Sequence, residues 1–139
     1  MWNKTITLYN KHEDKQTGII KWHRHEIEGC FYKITDKKLN AGNTQLKTSD
    51  SIIRIPEQKN YLPPYEWLKL PDNKIDDCFT LQTGDLIFLG AVKDDIDEYT
   101  QGKRSNDLVK KYSSFGSVFI KTVTINDFMP GTHYLVRGD

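Results

Sequence analysis

A chain of 139 residues with 37% hydrophobic and 28% charged residues is long enough for one domain with its own core. Its apolar residues are spread along the chain, which argues for a folded protein over a disordered one. Twenty basic against nineteen acidic residues leave a formal charge of +1, so no global field draws it onto nucleic acid or an anionic membrane.

No apolar run approaches the roughly 20 residues of a membrane helix, and the opening MWNKTITLYN lacks the layout of a signal peptide. Cys30 and Cys78 are the only cysteines and lie far apart with no CxxC spacing, so neither a disulfide scaffold nor a thiolate zinc site is expected. The expectation is a single reduced domain, 1–139, cytosolic in its producing cell, with no membrane partner and no cofactor.

KTITLYN (4–10) alternates Thr5, Thr7 and Tyr9 against Ile6 and Leu8, the period of a strand with one buried face. A polar turn ending at Gly18 leads into IIKWHRHEIEG, which predicts an antiparallel hairpin partner with Ile20, Trp22 and Ile27 facing inward. CFYKIT (30–35) reads as a third strand after a break at Gly29. A Gly-centred loop then leads to a β-branched strand around 51–55, closed by Pro56.

Residues 56–83 carry four of the five prolines, which do not sit inside paired central strands, so this segment predicts a long loop excursion. One helical turn is expected at 64–70, with Pro64 suited to a helix start. GDLIFLGAV (84–92) is a short apolar run between turn signals and reads as a core strand. SNDLVKKYSSFG (105–116) predicts a short amphipathic helix capped by Ser105 or Asn106, with Leu108, Val109 and Tyr112 on one face and Gly116 ending it. SVFIKTVTIN and THYLVRG close the chain as strands joined through DFMPG. Some seven strands with one short helix predict a mainly β fold, a small antiparallel barrel or sandwich-like domain with a long proline-rich loop.

His23 and His25 project from one side of a strand, a geometry zinc or nickel can use if Cys30 or His12 supplies further ligands. The competing reading is a solvated outer face of the barrel, where histidines make assembly mildly pH-sensitive. Asp94, Asp95, Asp97 and Glu98 offer oxygen ligands but lack the EF-hand layout, so a solvated or partner-facing loop is the plainer reading. Asp76 and Asp77 before Cys78 raise a thiol pKa instead of lowering it, which argues against a cysteine nucleophile there. No GxSxG, HExxH, P-loop or GxGxxG pattern occurs, and the terminal VRGD is too short a match to a cell-adhesion tripeptide to carry weight. The pairs Lys37/Lys38, Lys103/Arg104 and Lys110/Lys111 are balanced by nearby acids.

In their order and spacing, ITLYNKHEDKQTGIIKWHRHEIEGCFY, SDSIIRIP, YLPPYEW, FTLQTGDLIFLGAV, SNDLVKKY, VFIKTVTIND and HYLVRG resemble a family of small virion proteins of tailed phages and prophages of Gram-positive bacteria. Their place is the head–tail junction. Where relatives carry an Asp-Asn-Arg-Arg turn and a His-Trp-Lys-Val ending, this chain has TINDFMPG and HYLV, which puts a basic contact of that turn in doubt. The resemblance implies a non-enzymatic head-completion or head–tail connector subunit, a homo-oligomeric ring binding a portal-side adaptor and tail-side proteins, with DNA passing through it. It also implies location in the virion, and in the host bacterial cytoplasm before assembly. A tail-completion or minor tail subunit and a phage-encoded module that binds a host defence protein are the alternatives. For any of these, Tyr61, Tyr65 and Trp67 in the proline-rich loop and the acidic 94–98 loop are the expected contact residues. For Trp67 and Leu68, the opposing reading is that they fold back to cap the barrel.

Overall fold

The computed structural model describes residues 3–41, 44–71, 73–126 and 133–139, with side chains outside 35–50 and 126. Six strands, β1 (Lys4–Glu13), β2 (Ile20–Ala41), β3 (Thr44–Pro56), β4 (Leu86–Phe88), β5 (Ser117–Asn126) and β6 (His133–Gly138), form a closed barrel in the order β1-β2-β3-β6-β5-β4. All of its pairings are antiparallel. The barrel reading of the sequence therefore holds over the sandwich-like one. The DFMPG turn and the side chains of Lys37 and Lys38 lie outside the described residues.

Closure depends on one strand serving two sheets. The segments expected as separate strands on either side of Gly29 are one strand of 22 residues, β2. Its first half pairs with β1 up to Cys30 and its second half pairs with β3 from Phe31 onward. Gly29 sits at φ 74, a conformation costly for residues with a Cβ, where the β1 register slips between Lys4 and Ile6. The glycine bends the strand without ending it. At the opposite seam, Gly138 pairs with both Ser51 and Ile120, and a Cβ there would stand 2.1 Å from the Phe119 carbonyl oxygen.

The barrel interior is filled by Ile6, Leu8, Ile27, Ile53, Ile55, Phe79, Ile87, Val118 and Val136, among others. A second apolar layer lies on the other face of β1 and β4, where Tyr9, Leu86 and Phe88 meet Val92, Ile96 and Leu108, with Trp22 and Tyr112 at its margin. Helix α2 (Ser105–Lys111) contributes Leu108 to that layer. Its N-terminus is not capped by Ser105 or Asn106 as expected. Arg104 is the cap residue, the Asp107 carboxylate accepts from Arg104 N, and Glu98 Oε1 accepts from Ser105 N. Nearby carboxylates thus satisfy the N–H groups of Arg104 and Ser105 where the helix begins.

Both faces of the β1–β2 hairpin are consequently covered, which corrects the expected orientation of its second strand. The cross-strand pairs Ile6↔Ile27, Leu8↔His25 and Asn10↔His23 put both histidines on the barrel-interior face, in line with Ile27. Trp22 faces the outer layer. A histidine-bearing outer surface does not exist on this strand.

Gly138→Ala is expected to cost about 1–3 kcal/mol by overpacking the β5–β6 seam. The loss would be read as a lower urea midpoint with an unchanged slope; an unchanged midpoint would contradict the tight closure.

Candidate functional site

The 57–83 excursion folds back over the open side of the hairpin, and a short polar seam fastens it. The Asn10 side chain donates to Thr80 O at 2.6 Å and accepts from Thr80 N at 3.1 Å, so it extends β1 sideways to the returning chain. The same Nδ2 group donates to Asp85 Oδ2 at 2.7 Å. Asp85, fully buried, also accepts from Lys11 N, Gln82 N and Gln82 Nε2. Burial pushes its pKa up to about 7, against the lowering effect of these donors.

Beneath this cover lies the histidine face. Trp67, at the end of the single turn α1 (Pro64–Trp67), is fully buried and donates its indole N–H to Cys78 O at 3.1 Å. Its ring meets His12 and His23 edge to face, with centroids 5.9 and 5.5 Å away. His23 Nδ1 donates to the exposed carboxylate of Asp76 at 2.5 Å. His25 packs 5.7 Å from the Phe79 ring. Burial is the main cause that lowers its pKa, partly offset by the Asp76 charge.

The metal candidates are not assembled into a site. Cys30 lies in the barrel core, and burial pushes its thiol up to about 12, so it offers no ready thiolate nucleophile. Among the described residues no group of three or more His, Cys, Asp or Glu side chains is arranged to hold a metal ion. His23 and His25 are wall residues under the excursion.

The expected contact residues divide. Trp67 does fold back, while its neighbour Leu68 remains exposed. Tyr61 is half-buried, stacked 4.3 Å from the Tyr134 ring and beside Phe79. Tyr65 is free, at 65% exposure. In the acidic loop, Asp94 binds Lys111 Nζ at 2.7 Å and its carbonyl accepts the Tyr9 hydroxyl. Asp97 accepts from Tyr99 N and Thr100 Oγ1, which closes the turn. Glu98 accepts from the Trp22 indole at 3.1 Å and from the start of α2. Asp95 is the most exposed of this group and makes one loose ion pair, with Arg24 Nε at 3.8 Å. The loop's carboxylates hold the outer layer in place, and no calcium geometry results. Lys103, Arg104, Lys110 and Lys111 are all exposed.

Fold and site together define a small closed β-barrel in which most of the polar groups singled out in the sequence are structural. The chain belongs to a family of unknown function, DUF6751, which matches residues 1–139. No curated protein and no solved structure matches it.

Asp85→Asn would turn an amide N–H toward donors that need an acceptor, at a cost of about 1–3 kcal/mol. With its folded pKa raised from 3.8 to about 7, Asp85 takes up a proton on folding between those values. Its contribution therefore grows as pH falls from 7 to 4, and the gap between wild type and Asp85→Asn in chemical denaturation should widen over that range. A gap that narrows would contradict a desolvated carboxylate.

His25 has the opposite sign. Its folded pKa lies below the ordinary 6.5, so its contribution is present above 6.5 and is lost as pH falls below it. His25→Phe should remove part of the acid-side loss of stability; an acid limb identical to wild type would contradict burial of this ring.

Proposed function

We propose that this chain is a non-enzymatic structural protein of a tailed phage or prophage, a head-completion or head–tail connector subunit that joins portal-side and tail-side proteins in a ring. The observation that carries the reading is the β2–β3 ladder. Beyond Thr35↔Asp50, among the described residues, 36–41 and 44–49 pair only with each other, because β1 leaves β2 at Cys30 and β6 leaves β3 at Ser51. By strand rise this arm is about 20 Å long.

A ring subunit needs a rigid body and a projecting element that reaches its neighbour, and a closed barrel with such an arm supplies both. The ordered segments that resemble head–tail junction proteins support the same reading. Exposed Tyr65 and Leu68 on the excursion offer a further apolar contact.

Deleting the gene from an inducible prophage is expected to yield full heads and finished tails that fail to join, seen by negative-stain electron microscopy of the lysate. Intact particles at normal yield would overturn the role. Unjoined heads beside tails whose ends are unfinished would favour the tail-completion alternative. Co-purification with a host defence enzyme, and with no virion protein, would favour the host-directed module.

A further inference from the structure

The first half of β2 has a free edge. Asp14 N donates to Ile19 O, so the register directs the polar backbone groups of Lys21, His23, His25 and Ile27 toward β1. The alternate residues Trp22, Arg24 and Glu26 direct theirs the other way, where β3 pairing has not yet begun. Ile20, in the same phase, donates its N–H to the Tyr99 hydroxyl at 2.9 Å. Among the described residues, no backbone group pairs with the outward N–H and C=O of Trp22, Arg24 or Glu26.

This edge lies in a cleft. A cavity of about 600 Å³ follows residues 19–24, with Asp76 on the histidine side and Asp95, Asp97 and Tyr99 on the Trp22 side. A smaller recess of about 310 Å³ continues along Glu26 and Glu28 beside Asn60 and Phe79. Proteins ordinarily cover or charge such an edge, because unpaired strand groups are a template for another chain. Here the carboxylates Glu26, Glu28, Asp76, Asp95 and Asp97 outnumber the bases Lys21 and Arg24. Lys93 bonds Glu26 at 2.7 Å and partly offsets the excess.

We propose that β2 over Trp22–Glu26 is a docking edge for an extended segment of another protein that carries lysine or arginine side chains and adds as a further strand. Main-chain hydrogen bonds would give the affinity, and the acidic walls would select the charge. A lone strand fits between walls on both faces, whereas a second copy presenting the same recessed acidic edge brings like charge against like. The inference does not depend on the virion role.

The test uses an isotope-labelled full chain and an alternating Lys-Val peptide of about eight residues, the length of an ordinary strand, against a matched Glu-Val peptide. The Lys-Val peptide is expected to slow amide exchange at Trp22, Arg24 and Glu26 by about tenfold or more at saturation, and the Glu-Val peptide to bind at least about tenfold more weakly. Glu26→Pro removes an outward N–H without breaking a bond to β1, and should abolish the protection. Asp95→Lys, on a fully exposed side chain, should weaken binding several-fold and keeps the test decisive if the proline variant does not fold.

Three results would overturn the proposal. The first is no effect at these amides up to about 1 mM peptide, the weak end of specific affinities; the second is equal binding of the two peptides. The third is concentration-dependent protection of the same amides in the protein alone, which would make a second copy the occupant.

Discussion

The buried contact among Asn10, Thr80 and Asp85 is the constraint on which one whole side of the molecule depends. Residues 57–83 contain three prolines and little regular structure, so few of their backbone groups can be satisfied by repeating ladders. Asn10 answers this by presenting donor and acceptor to the Thr80 backbone, and Asp85 gathers the amides of Lys11 and Gln82. With the returning chain held there, Phe79 enters the barrel and Trp67 settles over His12 and His23. Unmaking a buried network of this kind leaves several polar groups unpaired at once, each at a cost of about 1–3 kcal/mol.

The outer layer follows the same logic with different residues. Thr7 Oγ1 donates to Gly90 O and accepts from Val92 N, which turns the chain after β4 back across the hairpin. Tyr9, Glu98 and Asp94 then fix the 91–112 segment. Polar side chains that would suit a ligand site are thus used to fasten two loops to one hairpin. Among the described residues, the surfaces not used in this fastening include Tyr65 with Leu68, the exposed Asp95–Arg24 pair, the edge of β2 and the backbone ladder of β2 and β3 beyond the barrel. That distribution supports the proposal that the protein works by contact with other proteins.

Much of the fold was legible because alternation and turn residues act locally. TITLY announced β1, the apolar run around Leu86 announced β4, and the Leu108, Val109 and Tyr112 spacing announced α2. The face of the histidine strand was not legible, because a period of two separates two faces but does not say which is buried when both are. Trp22 drew attention to the outer layer, yet Ile27, of opposite parity, belongs with His23 and His25. Gly29 looked like a strand end because a bulge and a break use the same residue. Asn10 and Asp85 carry no local signal of their role, since each stands beside a turn signal and their partnership spans 75 positions. The excess of carboxylates around residues 76–98 was visible, but their division into fasteners and free groups needed three dimensions.

The most direct test of this account is native-state amide exchange in the isolated protein at Phe79 and Thr80, whose N–H groups donate to Asn60 O and Asn10 Oδ1. If the excursion is part of the folded domain, both amides should be protected to nearly the level of the β1 and β6 strands. Exchange at the rate of an unstructured loop, with the strands still protected, would show that the excursion is not ordered in the isolated domain and would contradict the account.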